Sequence, residues 1–165
     1  MKEGDVVVIS NRHISNSDKN RNDLIAYNWL LDKFSIQSIN EFNNLVLSKG
    51  GKTILFAPTP EYEVSIMECK PYWFKPFRDS NCKKTIEQVK KDKSKVYFLI
   101  NNYLDKKILI YDPIPDICFE GICPMIDEKS KPLYVDDDHL TDYANLEYLF
   151  PGFSSFLEKN RLLRY

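Results

Sequence analysis

The residues best suited to chemistry lie near the carboxyl end of the chain, in the stretch YVDDDHL from Tyr134 to Leu140. His139 is one of only two histidines, and Asp136 precedes it by three positions. A short turn can fold the Asp136 carboxylate back onto Nδ1 of His139, which fixes the tautomer and leaves Nε2 to take a proton from a nucleophile. The spacing therefore predicts a general base with its orienting acid.

The same seven residues have two simpler interpretations. They can form an acidic turn at the start of a helix, where the positive end of the helix dipole favours aspartate side chains. An aspartate-rich run can also bind Ca²⁺ or Mg²⁺, but the glycine and the terminal glutamate of an EF-type loop are missing here. We therefore expect neither a metal nor another cofactor, while the choice between a base and a helix cap stays open.

Length and composition predict a single globular domain over residues 1–165. Hydrophobic residues make up 43% of the chain and aromatic residues 13%, which is enough for a core. Lys and Arg number 23 against 24 Asp and Glu, so the chain lacks the basic excess that binds phosphates, and nucleic acid is not an expected partner. No apolar run reaches the roughly 18 residues of a membrane span, and the first residues do not read as a signal peptide.

The four cysteines fall into two locally spaced pairs, Cys69 with Cys82 and Cys118 with Cys123. Two short-range disulfides suit this spacing and would indicate an oxidising compartment. Free thiols and a zinc site are the alternatives, although no Cys-x-x-Cys knuckle is present.

Strands and a helix must position these residues. The predicted strands are residues 5–10, 53–57 and 108–111, and the first is a continuous apolar, β-branched run typical of a strand buried on both faces. Ser38-x-x-Glu41 predicts a helix start through a capping box, and Gly50-Gly51 predict its left-handed stop. Strand, helix and strand with short connections form a right-handed parallel crossover, which predicts an α/β fold.

Two further helices are predicted. Apolar residues at three- and four-residue spacing indicate one long helix from Asn81 to Leu104. Leu146 to Asn160 indicate a final helix or pair of helices, broken at Pro151-Gly152. Asn11 follows the first strand at its carboxyl end, where open α/β sheets bind ligands, so it is a candidate site residue. A polar loop without a site is the simpler interpretation of Asn11.

Several motifs stand close together and in order: Asp112-Pro113, the Cys118/Cys123 pair, Pro132-Leu133-Tyr134, and Asp136 to Leu140. Together they resemble the C-terminal end of the SGNH domain fused to membrane acyltransferases of the acyltransferase-3 type, the bacterial O-antigen and cell-envelope O-acetylases. The strand that leads to Ser10-Asn11-Arg12-His13 is similar to that family's third strand, and Pro58-x-Pro60 to the segment after its fourth. The resemblance covers nearly the whole chain and is most specific over residues 111–140.

The resemblance implies a flavodoxin-like, three-layer fold around a parallel sheet and a Ser-His-Asp mechanism on an acyl ester of a carbohydrate. It implies that His139 is the general base, that Asp136 orients it, and that Asn11 contributes to the oxyanion hole by position. The family's nucleophile lies in a Gly-Asp-Ser block on its first strand, and no such triplet occurs in this chain. Other serines near the first strand, Ser10, Ser15 and Ser17, do not stand beside a glycine on a strand-to-helix elbow.

We therefore expect a single SGNH-like domain that is N-terminally incomplete and lacks the first strands of its sheet. In the doubly wound order the three remaining strands stay adjacent, so a core can still form. The strand at residues 5–10 would become an edge that is open to pairing with another chain.

The expected function is that of an SGNH-type O-acyltransferase or esterase domain, acting on acyl esters, acetyl above all, of cell-envelope carbohydrate. The expected partners are that carbohydrate or ester substrate, a membrane acyltransferase domain, and a missing N-terminal segment that carries the serine. The expected location is extracytoplasmic, in the periplasm or cell envelope. The alternative is a catalytically inactive carbohydrate-binding or structural remnant of such a domain.

Overall fold

The structure is a computed structural model that describes residues 1–10, 33–69 and 81–163. The chain divides into two compact units. The first unit comprises Met1–Pro58, Lys90–Asp112 and Phe156–Tyr165, and the second comprises Thr59–Val89 and Pro113–Ser155.

Short strands and helices alternate along the chain. The strands are β1 (Val6–Ile9), β2 (Lys52–Phe56), β3 (Lys83–Thr85), β4 (Leu109–Tyr111) and β5 (Ile122–Pro124). The α-helices are α1 (Lys33–Ser48), α2 (Ile66–Cys69), α3 (Ile86–Asp92), α4 (Ser94–Tyr103), α5 (Ile114–Ile117), α6 (Asp142–Ala144) and α7 (Phe150–Lys159), with a π-helical turn at Asn145–Leu149. Within the described ranges, none of these helices combines the length and the apolar character of a membrane span.

The first unit contains a parallel sheet of three strands in the order β1-β2-β4. Val6 of β1 lies opposite Lys52 of β2, and Ile54 of β2 lies opposite Leu109 of β4. The predicted α/β class and the adjacency of the three strands are confirmed. Among the described strands β1 lies at an edge, as predicted, and Val8 is 44% exposed, so the prediction that this strand is buried on both faces is wrong.

Helix α1 begins earlier than predicted and ends where predicted. Ser38 lies inside the helix rather than at its start, and the side chain of Glu41 accepts a hydrogen bond from Nε2 of Gln37 at 2.9 Å instead of completing a capping box. Gly50 has a φ of +74° and its N–H donates to the carbonyl of Leu47. This is the left-handed stop that the sequence predicts.

The core of the first unit lies between the sheet and the helices α1 and α4. Its buried members are Ile36, Leu55, Val96, Leu99, Ile100, Leu104 and Ile108. A hydrogen bond also links α1 to the segment after α4, because Oδ1 of Asn40 accepts from the N–H of Asp105 at 2.8 Å. The sheet is thus packed on a helical layer by apolar contacts that the sequence periodicity anticipates.

The predicted single helix from Asn81 to Leu104 is wrong. Residues 83–85 form β3, which pairs antiparallel with β5, and α3 and α4 are separate helices. Thr85 and Gln88 explain the start of α3, because each side chain accepts a hydrogen bond from the backbone N–H of the other, at 2.7 and 3.1 Å. This is a capping box. It starts a helix at this point, although apolar residues at helical spacing continue on both sides of it.

The predicted break at Pro151-Gly152 is also wrong, because α7 runs through both residues. The irregularity lies just before the proline, in the π-helical turn, where the N–H of Phe150 donates to the carbonyl of Asn145 five residues back. Proline lacks the N–H that an α-helix needs and crowds the preceding turn. A wider turn at this point accommodates the proline without ending the helix.

Candidate active site

A hairpin-like loop in the second unit, the His139 hairpin, carries the candidate base. Its two arms are tied by the N–H of Val135, which donates to the carbonyl of His139 at 2.8 Å, and by the N–H of Thr141, which donates to the carbonyl of Leu133 at 2.9 Å. Residues 136–138 therefore form the tip, where the chain must reverse its direction.

Asp136 shapes this tip through its side chain. Its Oδ1 accepts hydrogen bonds from the N–H of Asp138 at 3.0 Å and from the N–H of His139 at 2.8 Å. Such local bonds from an aspartate to the backbone two and three residues ahead stabilise a turn. The turn brings the side chain of His139 back over the carboxylate, with Nδ1 2.9 Å from Oδ2 of Asp136. The structure thus brings together the two residues that the spacing singled out.

Asp138 supplies a second carboxylate to the same ring nitrogen. Its Oδ1 lies 2.9 Å from Nδ1 of His139, the same distance as Oδ2 of Asp136. The two acids differ in exposure, because the side chain of Asp138 is 7% exposed and that of Asp136 is 44% exposed. Asp138 lies outside the three-residue spacing that predicts the pair, and its only signal in the sequence is the unbroken acidic run.

The imidazole of His139 is 68% exposed, so a reacting group can approach it. Because a carboxylate only accepts hydrogen bonds, Nδ1 must carry the proton that it shares with the acids. Nε2 is then the basic nitrogen in the neutral ring. This is the tautomer that a general base of the Ser-His-Asp type requires.

The electrostatics of Asp136 favour its ionised form. Burial raises the pKa of this carboxyl, but the N–H groups of Asp138 and His139 and the His139 ring outweigh burial and hold the pKa well below its usual range. Asp136 is therefore an anion beside the imidazole at neutral pH.

Tyr62 anchors the tip of the hairpin. Its N–H donates to the carbonyl of Asp137 at 2.8 Å, and its hydroxyl donates to the carbonyl of Cys123 at 2.8 Å. Its ring packs edge to face on Tyr134, with centroids 5.0 Å apart. Cys123 is in turn bonded to Cys118, so the small disulfide ring and the hairpin are connected through one tyrosine.

The two predicted disulfides are confirmed, as Cys69–Cys82 and Cys118–Cys123. None of the four cysteines is free, so the thiol and zinc alternatives are wrong for them. The first bridge lies in the core of the second unit, which comprises Tyr62, Ile66, Cys69, Cys82, Met125, Leu133, Tyr134 and Ala144. This core supports the arms of the His139 hairpin through Leu133 and Tyr134.

Asp127 ties the segment before the hairpin to the helix after it. Its Oδ2 accepts hydrogen bonds from the hydroxyls of Tyr143 at 2.6 Å and Tyr148 at 3.0 Å, and its Oδ1 accepts from the N–H of Lys131 at 2.8 Å. Tyr143 and Tyr148 are five residues apart, a spacing that shares a face only in a π-helical turn. The π-helical turn therefore allows both hydroxyls to reach one carboxylate.

Asp136, Asp138 and His139 also offer one ligand atom each within 4.8 Å of one another, a spacing at which a metal ion could be held. The contacts of Nδ1 with both carboxylates account for this spacing without an ion.

Asn11, Ser15 and Ser17 lie outside the described residues.

Comparison with protein families identifies a match over most of the chain. A family model described as "SGNH domain (fused to AT3 domains)" matches residues 1–149, which include β1 and the whole His139 hairpin. Searches of curated proteins and of solved structures gave no match.

Proposed function

The chain belongs to the family of SGNH domains fused to AT3 domains, and from this membership we propose that the His139 hairpin is the base-bearing part of an acyl-ester active site. The family places it among SGNH-type acyltransferase and esterase domains. The observation that carries the proposal is the 2.9 Å distance between Nδ1 of His139 and Oδ2 of Asp136 on an exposed, turn-stabilised loop.

In the proposed mechanism, Nε2 of His139 takes the proton from a serine hydroxyl as the serine oxygen attacks the acyl carbonyl. The imidazolium then gives that proton to the departing alcohol, which leaves an acyl-serine. Water or a sugar hydroxyl attacks the acyl-serine in the second half, with the same base. Asp136 orients the ring throughout, and Asn11 donates to the oxyanion.

The serine must come from elsewhere, because the sequence contains no Gly-Asp-Ser triplet. We place it on another segment, either in a longer form of this protein or in a second chain. Among the described strands β1 lies at an edge of its sheet, and an edge strand offers backbone groups with which an added strand can pair.

The proposed substrate is an acyl ester, acetyl above all, of a cell-envelope carbohydrate, and a membrane acyltransferase domain is the proposed partner. Both proposals rest on family membership. The two disulfides support an extracytoplasmic location, because such bonds persist in oxidising compartments. We further propose that residues 1–165 act as one SGNH domain, since the family match includes parts of both units.

Hydrolysis of an aryl acetate tests the function. The chain is assayed alone, with a peptide carrying a Gly-Asp-Ser strand, and with that strand fused to its amino end. We expect activity only when the strand is present, and a loss of about 10²-fold or more in His139→Ala. Asp137→Asn is the matched control in the same acidic run and keeps full activity.

Absence of hydrolysis in both the peptide and the fusion experiments would overturn the enzymatic proposal. Binding of acetylated glycans that survives His139→Ala, in the absence of such hydrolysis, would instead identify the chain as the inactive carbohydrate-binding alternative, since a binding module does not use the base.

A further inference from the structure

We propose that Asp138 is a second positioning acid for His139, and that it shares with Asp136 the work of orienting the imidazole. The inference rests on the proposed function, because a positioning acid has meaning only if His139 is the base. The spacing that predicts the dyad assigns this role to Asp136 alone. The geometry points to both acids.

The distances give neither acid an advantage at Nδ1. Oδ1 of Asp138 and Oδ2 of Asp136 both lie 2.9 Å from this nitrogen, and Oδ1 of Asp136 lies 3.1 Å away. A single N–H can be shared between two acceptors or alternate between them. Either arrangement keeps the ring in one orientation when one acceptor is removed.

The two carboxylates differ in their other hydrogen bonds and in their exposure. Oδ1 of Asp136 already accepts the backbone N–H groups of Asp138 and His139, so much of its hydrogen-bonding capacity holds the turn. The side chain of Asp138 is nearly buried, and water screens its interaction with the ring less than that of the more exposed Asp136. Asp136 therefore both stabilises the turn and contacts the ring, whereas Asp138 contacts the ring with a side chain that is nearly buried.

The backbone on both sides of Asp138 is held in place. On one side, its own N–H donates to Oδ1 of Asp136 and the carbonyl of Asp137 accepts the N–H of Tyr62, and on the other side the N–H of His139 donates to the same Oδ1. A side chain on a fixed backbone, with little space around it, keeps its orientation at low entropic cost. These are the properties that a positioning residue needs.

Among the described residues, the acids at and beside Nδ1 can be separated by mutation. Asp136 and Asp138 contact Nδ1, and Asp137 lies between them in the chain. Glu61 and Asp138 both act on the buried hydroxyl of Tyr134: burial raises its pKa most, and the charges of these acids add to the effect. Glu61 is therefore the further acid to vary as a control for general charge.

Nuclear magnetic resonance of the imidazole nitrogens tests the proposal without any need for catalysis. The full chain contains two histidines, so His13→Gln leaves the signals of His139 alone in the spectrum. In this background, Asp136→Asn and Asp138→Asn should each lower the pKa of His139 by about half a unit or more, because each removes a charge that favours the imidazolium. Asp137→Asn and Glu61→Gln should leave it within about a fifth of that change.

The double variant Asp136→Asn/Asp138→Asn should lose the preference for the Nδ1-protonated tautomer, while each single variant keeps it. Circular dichroism and unfolding in urea show that each variant is folded. A pKa of His139 that does not change in Asp138→Asn would overturn the proposal, whatever the chain does as an enzyme. A change in Asp138→Asn together with an inactive enzyme would uphold the contact of Asp138 with the imidazole and count against the proposed function alone.

Where activity is reconstituted with the serine strand, the pattern of kcat gives a second readout. Each single variant should lose about 10-fold, and the double variant about 10³-fold or more, because loss of the orienting acid in such triads costs up to about 10⁴-fold. A loss in Asp136→Asn alone as large as in the double variant would show that Asp138 carries no share.

Discussion

The backbone N–H of Tyr62 donates to the carbonyl of Asp137, at the tip of the loop that carries the candidate base. The hydroxyl of the same tyrosine donates to the carbonyl of Cys123, in a disulfide ring that lies upstream of the loop in the chain. One residue thus links the disulfide ring, through its hydroxyl, to the acidic tip, through its backbone N–H.

We predict that Tyr62→Phe destabilises the protein by about 1–2 kcal/mol, because it removes a buried hydrogen bond to the carbonyl of Cys123. Urea unfolding monitored by circular dichroism measures the change. Val135→Ala is the control, since Val135 is exposed and lies in the same loop. Equal effects of the two substitutions would show that the hydroxyl bond is unimportant.

The shared oxygen of Asp127 predicts coupling between Tyr143 and Tyr148. Each Tyr→Phe variant should lower the urea midpoint modestly, and the double variant should lower it by more than the sum, because the remaining hydroxyl compensates in each single variant. The measurement is a double-mutant cycle. Strict additivity would mean that the two hydroxyls act independently.

Acid should destabilise the second unit through Asp127 and Asp136. Burial raises the pKa of each carboxyl, but hydrogen bonds, to Tyr143 for Asp127 and to backbone N–H groups for Asp136, outweigh it, so both pKa values lie below the usual range. A carboxyl with a depressed folded-state pKa stabilises the fold above its unfolded pKa of about 4, and this stabilisation is lost as the pH falls towards the folded value. Unfolding free energies from pH 6 to pH 2 should fall less steeply in Asp127→Asn/Asp136→Asn than in Asp137→Asn.

The disulfides should contribute unequally. The bridges close loops with sequence separations of 13 and 5 residues. From the chain-entropy relation, Cys69→Ser/Cys82→Ser should cost about 3 kcal/mol and Cys118→Ser/Cys123→Ser about 2 kcal/mol. Unfolding in urea gives both values, and thiol titration of the denatured wild type should find no free thiol before reduction. A reversed order would show that the smaller ring acts mainly through its contact with Tyr62.

Gly152→Ala should destabilise α7, because an added Cβ would overlap the carboxylate of Asp116. The expected cost is about 1–3 kcal/mol, as for other insertions into packed sites. Ser155→Ala on the same helix is the control. Asp116→Gly should relieve most of the cost when it is combined with Gly152→Ala, and a double variant no more stable than Gly152→Ala would exclude the overlap as the cause.

The sequence predicts those features whose causes are local. Some features depend on residues within a few positions of one another: the strands β1, β2 and β4, the stop at Gly50, and the approach of Asp136 to His139. The capping box at Thr85 was equally local, but the helical spacing of the surrounding apolar residues concealed it. Local signals therefore fail where two of them compete.

Other features depend on residues far apart in the chain. The π-helical turn is explained by the hydrogen bonds to Asp127, which lies 16 positions before Tyr143 and 21 before Tyr148. The residues of the helix alone show no pattern that predicts this turn. The burial of Asp138 likewise results from the folded environment of the tip rather than from its neighbours in sequence. Such features become visible only when the tertiary contacts are known.

The π-helical turn also makes this helix sensitive to length. Its hydrogen bond spans five residues where an α-helix spans four, so the turn is equivalent to one inserted amino acid. Were the same residues to form an ordinary α-helix, the five-residue spacing would turn Tyr148 away from Tyr143 by more than about a third of a turn, whereas deleting one residue between the two tyrosines would return them to one face at a spacing of four. The number of residues between the two tyrosines, together with the helix type, thus determines whether both hydroxyls can bond to Asp127.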